Sequence, residues 1–318
     1  MTAPEVSIIV PLYNEAESFA ALIDSLNATM AGLQESCEVV LVDDGSKDGT
    51  AAMVKQVGLA DKRYQCVFLS RNFGHQLAIT AGLQYAKGTK GVMIMDGDLQ
   101  DPPQLLYEFL KTHHEGFDVV YSIRKSRQEP FMWKVLYKLY YRMFRSIANI
   151  QTPLDSGDFG FMSRRVVDVL NKMPEEQRYL RGMRSWVGFS QKGIVYERPK
   201  REQGKSKYSF WRLLKLAYMG IFNFSEFPVK FITVLGLIAT TGGVIYFILT
   251  LIRKFFFGDV PSGFTALIGA IVIFSGVQLI SIGILGEYIV RIFYQVKQRP
   301  LFLVKERIAD GSPQVDKD

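Results

Sequence analysis

The chain has 318 residues, 48% of them apolar, with 38 basic against 31 acidic side chains and a net charge of +7. The length suits one large domain or two smaller ones, and the apolar excess, gathered after Phe231, excludes a uniformly soluble globule. A positive balance suits nucleic acid, anionic lipid or phosphorylated substrates; here Lys200, Arg201, Lys205, Lys207, Arg212, Lys215 and Lys230 crowd just before the apolar region, where lipid headgroups would lie, and no nucleic-acid motif occurs.

Taken in chain order, Val6–Val10, Val39–Val42, Val67–Leu69, Val92–Met95 and Val119–Tyr121 read as buried strands rich in β-branched residues. Val6 to Leu12 is too short for a signal peptide, and Asn14 and Glu15 end it. Stretches with helical spacing, such as Ala16–Met30 and Gln76–Ala86, lie between the strands, so the expected fold is α/β with a doubly wound, mostly parallel sheet. Ligands of such sheets bind outside the carboxyl ends of the strands. Four polar clusters fall there: Tyr13-Asn14-Glu15, Asp43-Asp44-Gly45-Ser46, Ser70-Arg71-Asn72 and Asp96-Gly97-Asp98. Cys37 and Cys66 sit in strand-like runs and read as buried free thiols, which suits a reducing compartment.

Asp96 and Asp98 are the sharpest feature. Alternate residues leaving a strand can set two carboxylates around one hard divalent cation, Mg²⁺ or Mn²⁺, that also bridges to a substrate diphosphate. The competing role is capping, but the pair follows an apolar strand and precedes Pro102-Pro103, which fits the first turn of a helix. Asp43 and Asp44 can accept from a nucleoside or cap the following helix. No G-x-G-x-x-G follows the first strand and no P-loop occurs, which argues against a dehydrogenase and a P-loop NTPase. His75 either approaches a donor or merely starts a helix; His113 and His114 suit a helix C-terminus.

Phe231–Ile252 and Phe264–Gly286 carry no charge and are long enough to cross a bilayer; a buried helical hairpin is the alternative. Basic residues flank the outer ends of the pair, including Arg291, Lys297, Arg299, Lys305 and Arg307, so the positive-inside bias puts both termini in the cytoplasm. Phe131–Ile147 and Tyr208–Phe227 mix aromatic and basic residues and read as interfacial amphipathic helices or as ordinary helices packed on the sheet. The expected division is a first domain over 1–228, a two-helix transmembrane region over 229–290 and a cytoplasmic tail over 291–318, disordered from Asp310.

Pro11-Leu12-Tyr13-Asn14-Glu15, Asp43-Asp44-Gly45-Ser46, Ser70-Arg71-Asn72-Phe73-Gly74 and the run Asp96 to Pro103 resemble the inverting family-two glycosyltransferases of the GT-A fold. Ser156-Gly157-Asp158-Phe159, the run Arg201 to Tyr208, and Gly286-Glu287-Tyr288 extend the likeness to the dolichol-phosphate mannose synthase group, and within it to bacterial bactoprenol-phosphate glucosyltransferases with two C-terminal spans. The resemblance implies a plasma-membrane enzyme that moves a hexose from a nucleotide sugar, UDP-glucose first, to polyprenyl phosphate with inversion. The product would be a lipid-linked sugar for cell-envelope glycans, passed to a flippase. Mannose or another sugar, a homo-oligomer, and a non-catalytic scaffold that binds nucleotide sugar stay open.

By position, the resemblance gives Pro11, Tyr13, Glu15, Asp43, Asp44, Arg71 and Asp96 to the nucleotide sugar, and Asp96, Asp98 and Gln100 to the metal. Arg201, Lys205 and Lys207 would face phosphate, and Asp158, Asp98 and Arg201 would form the catalytic set. Asp158 matches an acidic residue proposed as base or acceptor-positioning group; a lipid phosphate is already ionised near neutral pH, its second pKa being about 6, so positioning suits it better, with a strand-start cap as the plain alternative. Processive synthases of this fold carry Gln-x-x-Arg-Trp. Arg184-Ser185-Trp186 is the nearest stretch here and does not fit, which favours a single transfer.

Overall fold

A computed structural model describes residues 3–124, 156–196, 227–257 and 263–314. They form two compact units, one of residues 3–124, 156–196 and 299–314, the other of residues 227–257 and 263–298. Arg201, Lys205, Lys207 and the stretches expected as interfacial helices lie outside the described residues, apart from Phe227.

The first unit alternates strand and helix as its apolar periodicity demands: β1 (Val6–Leu12), α1 (Phe19–Ala31), β2 (Cys37–Asp43), α2 (Thr50–Ala60), β3 (Tyr64–Leu69), α3 (His75–Tyr85) and β4 (Gly91–Ile94). A 3₁₀ turn at Pro103–Leu105 leads into α4 (Leu106–His114), with the two prolines at the helix entrance as expected. Then come β5 (Val119–Arg124), β6 (Ser156–Ser163), α5 (Arg164–Lys172), α6 (Leu180–Trp186) and β7 (Gln191–Tyr196). Every residue of β1 is buried, as it must be in a strand covered on both faces. Helix α1 starts at Phe19, later than the periodicity suggests, because the preceding loop is tied to its neighbour: the Asn14 and Ala16 N–H groups donate to Ser46 Oγ and Asp48 Oδ2.

Among the described residues the sheet has the order β7-β5-β6-β4-β1-β2-β3, continued by two further strands. Strands β1, β2, β3 and β4 are parallel, β6 runs antiparallel between β4 and β5, and β7 is parallel to β5. All the parallel strands therefore end at one edge, where the four polar clusters stand. Ile8, Leu22, Leu26, Leu41, Phe109 and Phe161 are fully buried within the core. Both cysteines are free, and burial pushes each thiol up to about 12, consistent with inert packing residues.

The end of the chain corrects one expectation. Instead of a disordered tail from Asp310, β8 (Val304–Ala309) and β9 (Ser312–Gln314) form a hairpin, and β8 pairs antiparallel with β3 in the main sheet. The reason is the turn chemistry. Asp310 and Gly311 adopt φ +54° and +76°, the left-handed pair that a two-residue hairpin loop requires.

The second unit holds α7 (Phe227–Phe257) and α8 (Phe264–Lys297), which run past the charge-free stretches at their outer ends. At 1.5 Å per residue they span roughly 46 and 51 Å, more than the ~30 Å hydrocarbon thickness. Two 24-residue stretches, Phe227–Thr250 and Phe274–Lys297, are apolar enough to cross a membrane, and their most apolar windows are not buried within the protein. In α8 the first charge after the apolar run, Glu287, is paired one turn later with Arg291 at 2.9 Å.

Candidate active site

The loops after β1 and β2 are zipped together. Ser46 Oγ accepts from Asn14 N–H at 3.0 Å, Asn14 Oδ1 accepts from Lys47 N–H at 2.8 Å, and Thr50 Oγ1 accepts from Glu15 N–H at 2.9 Å. Asp48, and neither Asp43 nor Asp44, serves the start of α2 by accepting from Thr50 N–H at 2.9 Å. Asp44 instead fastens the next loop: its two oxygens accept from Phe73 and Gly74 N–H at 2.7 and 2.9 Å. Burial raises its pKa against those two bonds. Gly45 sits at φ +68° with its Cα face against the Arg71–Asn72 backbone, so only glycine fits this crossing.

Two cavities open along this edge. The first, of about 540 Å³, is lined by Tyr13, Asp43, Ser46, Lys55, Phe68 and Arg71, among others. Asp43 is 3% exposed; one oxygen accepts from Ser46 N–H at 3.3 Å and the other, Oδ1, is buried with no hydrogen-bond partner among the described residues. The Arg71 guanidinium lies 4.0 Å from the Phe73 ring centroid. The second cavity, of about 460 Å³, is lined by Pro11, Glu15, Asp44, His75, Asp96 and Asp98. Tyr13 and Asn72 line both cavities, so one elongated ligand can run from Asp43 to the acidic pair.

In the second cavity His75 Nε2 lies 3.5 Å from Asp96 Oδ1 and 3.7 Å from Asp158 Oδ2. Asp158 is the third residue of β6, not a strand-start cap, and its side chain is 8% exposed. Arg181 Nε donates to Asp158 Oδ1 at 2.9 Å, and Gln76 Nε2 donates to Oδ2 at 2.9 Å. Burial alone would raise the carboxyl, but the Arg181 charge and hydrogen bonds, with His75 nearby, hold it far below the usual carboxylate range. Burial likewise opposes charging of His75, yet the neighbouring carboxylates of Asp158 and Asp96 carry its pKa above the ordinary value. Burial, reinforced by Asp158, Asp101 and Asp98, raises Asp96 although His75 opposes it. Basic and acidic side chains thus alternate from Arg181 through Asp158 and His75 to Asp96.

The segment after β4 presents Asp98 through an unusual turn. Leu99 holds φ +55°, a costly conformation for leucine, and the Gln100 N–H folds back onto Asp98 Oδ1 at 3.1 Å. The loop is anchored at its far end by Asp101, fully buried, which accepts from the Tyr196 hydroxyl.

Among the described residues no three His, Cys, Asp or Glu side chains converge as an all-protein metal site. A small hard cation needs fewer: it keeps several waters and is held by one or two carboxylates together with substrate phosphates. Asp96 and Asp98 line one open cavity and supply that oxygen set, so the residues fit a divalent ion shared with a diphosphate.

The sequence reading brought Pro11, Tyr13, Glu15, Asp43, Asp44, Arg71, Asp96 and Asp98 to this edge, and all line one or other cavity. Gln100 lies in the same loop without lining either. Asp158 is buried behind His75 rather than open to the cavities. The missed residues are Gln76, Arg181 and Arg184. Arg184, 4% exposed and lowered to about 10 by burial, donates to the Gly157 carbonyl next to Asp158 at 3.3 Å. Arg184 lies in the stretch that failed the processive motif and Arg181 just before it, and their partners are more than 20 residues away, so no local pattern marks them.

The sequence model of glycosyl transferase family 2 matches residues 7–170. An uncharacterized glycosyltransferase YkcC of Bacillus subtilis (strain 168) is 38% identical over 303 residues, covering 95% of this chain and 94% of that one. The SfII prophage-derived bactoprenol glucosyl transferase of Shigella flexneri is 33% identical over 303 residues, covering 95% and 98%. A prophage bactoprenol glucosyl transferase homolog of Escherichia coli (strain K12) is 32% identical over 302 residues with the same coverage.

Proposed function

The chain belongs to glycosyl transferase family 2, and on that premise we propose that it moves a hexose from a nucleotide sugar to a polyprenyl phosphate at the cytoplasmic surface of the plasma membrane. The observation that carries this reading is the continuity of the two cavities through Tyr13 and Asn72. The nucleoside occupies the Asp43 end, and the diphosphate and sugar occupy the Asp96 and Asp98 end. The full-length likeness to bactoprenol glucosyl transferases and the two membrane-length helices favour a lipid acceptor. UDP-glucose is the donor of first choice.

The reaction is direct displacement: the lipid phosphate oxygen attacks the anomeric carbon opposite the nucleotide, so an α-linked donor gives a β-linked product. Asp158 is not the base. Both of its oxygens are engaged, its charge is held by Arg181, and the acceptor phosphate is ionised without help. Its work is to keep His75 and Arg181 in place beside the reacting groups, so that catalysis rests on positioning and fixed charge. Asp96 and Asp98, with Gln100, would hold a divalent cation, which when bound offsets charge on the departing diphosphate. Arg201, Lys205 and Lys207 are assigned to the acceptor phosphate.

The topology reading is supported by β8. β7, earlier in the chain than α7, and β8, after α8, are strands of one sheet, which favours a two-span hairpin whose ends share a side. A panel of radiolabelled nucleotide sugars offered to membranes containing the protein and undecaprenyl phosphate tests the function. One sugar, glucose first, is expected in a solvent-extractable lipid, and absence of labelled lipid with every donor would overturn the reading.

A further inference from the structure

The strand that returns after the two long helices lines the first cavity. Register pairs Leu69 with Val304 and Phe68 with Glu306, and the Ser70 N–H donates to the Leu303 carbonyl at 2.9 Å. This brings Lys305 and Glu306 to the wall of the cavity that holds Asp43, Tyr13 and Arg71, and neither residue lines the cavity of Asp96 and Asp98. They stand at the end of the groove remote from the acidic pair, where a donor's base would lie.

The local charges are sorted. Glu306 is bound to Lys55 at 2.5 Å, so those two largely cancel. Lys305 is exposed, and its amine has no ion-pair or hydrogen-bond partner among the described residues. Across the same cavity the buried Asp43 Oδ1 is an acceptor without a donor. A buried carboxylate oxygen in that condition calls for a donor, which a ligand N–H or an ordered water supplies. The cavity therefore offers one acceptor, one mobile cationic donor, and an aromatic side chain, Tyr13, that is 43% exposed and free to stack.

We propose that β8 is the base-reading wall of the donor site, with Lys305 donating to a keto oxygen of a base whose adjacent ring N–H meets Asp43. The proposal rests on the donor reading above and goes further, because it names the base class and gives the C-terminal segment a share in recognition. Uracil and guanine carry an N–H beside a keto oxygen on the ring edge. Cytosine and adenine present a bare ring nitrogen there and an amino group beside it, so acceptor would face acceptor at Asp43 and donor would face donor at Lys305. An edge that cannot pair leaves both protein groups unsatisfied, the usual source of strong discrimination.

The test measures equilibrium binding of UDP, GDP, CDP and ADP, with Mg²⁺, to the full-length protein in nanodiscs. Wild type should prefer UDP or GDP over CDP and ADP by about tenfold or more. Lys305→Ala should weaken the preferred nucleotide about 3- to 10-fold, less than a buried contact because water can replace an exposed amine, and should leave CDP and ADP nearly unchanged. Equal weakening of all four would mean that Lys305 only attracts phosphate, and no change would mean that it is not in the site; either overturns the proposal. Asp43→Asn separates the two readings. If it removes the base preference while Lys305→Ala does nothing, the cavity holds the nucleotide and β8 does not read it. If neither variant alters binding, the donor reading of this cavity falls as well.

Discussion

Arg181 and Asp158 meet in a two-point contact, Nε to Oδ1 at 2.9 Å and Nη2 to Oδ2 at 3.2 Å, that fixes a carboxylate only 8% exposed. Arg181→Ala and Asp158→Ala should each lower transfer about 10- to 150-fold, as expected for loss of a charge-assisted contact worth ~1.5–3 kcal/mol. Because the two act as one unit, the double variant should be no worse than the poorer single one. The sign of the pH effect follows. Asp158 is held below the usual range, so it stays charged at every pH above the ordinary carboxylate pKa and puts no acid limb in the wild-type profile between about pH 5 and 9. Without Arg181 the largest charge favouring the anion is gone while burial still opposes it, so the carboxyl should rise and an acid limb should enter the Arg181→Ala profile. Additive losses with an unchanged profile would remove Arg181 from the account.

Asp96 and Asp98 share a cavity suited to a cation held jointly with diphosphate. Asp98→Ala should abolish transfer while leaving the unfolding temperature within a few degrees of wild type, since Asp98 is half-buried at a loop. Excess chelator should reproduce the loss, and Mg²⁺ or Mn²⁺ should reverse it. Undiminished transfer in chelator would end the metal assignment.

Gly45 gives a backbone test. A Cβ there would stand 2.6 Å from the Arg71 carbonyl carbon and 2.7 Å from the Asn72 nitrogen, at φ +68°. Gly45→Ala should cost about 1–2 kcal/mol from backbone conformation alone and should also displace the loop that carries Arg71, weakening nucleotide binding. Gly116→Ala is the control: its φ is +101° but its Cβ would meet nothing within 4 Å, so stability should fall without loss of binding. Equal binding by both variants would show that the crossing does not shape the cavity.

Most of this edge was legible because apolar strands announce their own carboxyl ends. Val39–Val42 and Val92–Met95 stop at acidic pairs, and a parallel sheet brings such stops together whatever else the chain does. What could not be read was contact across long separations. Gln76 meets Asp158 from 82 residues away, and Lys55 meets Glu306 from 251. The return of β8 did leave a signal. Asp310-Gly311 between short strand-like runs is a hairpin sequence, but the polar character of the tail and the membrane-flank pattern of Lys305 and Arg307 mask it.

The proposed topology has its own test. Reporters joined at the N-terminus and after Asp318 should both read cytoplasmic, and one inserted near Ser262 should read on the far side. Opposite readings for the two ends would mean that only one long helix crosses.

The central claim is transfer to a lipid phosphate, and the most direct measurement uses purified protein in nanodiscs with one labelled donor, UDP-glucose, and Mg²⁺. Undecaprenyl phosphate is supplied or omitted, and the anomeric configuration of the product is read by NMR. The account predicts a β-linked glucosyl phospholipid that forms only when the polyprenyl phosphate is present and is absent with Asp98→Ala. Glucose released to water at the same rate with or without the lipid, or an α-linked lipid product, would contradict it.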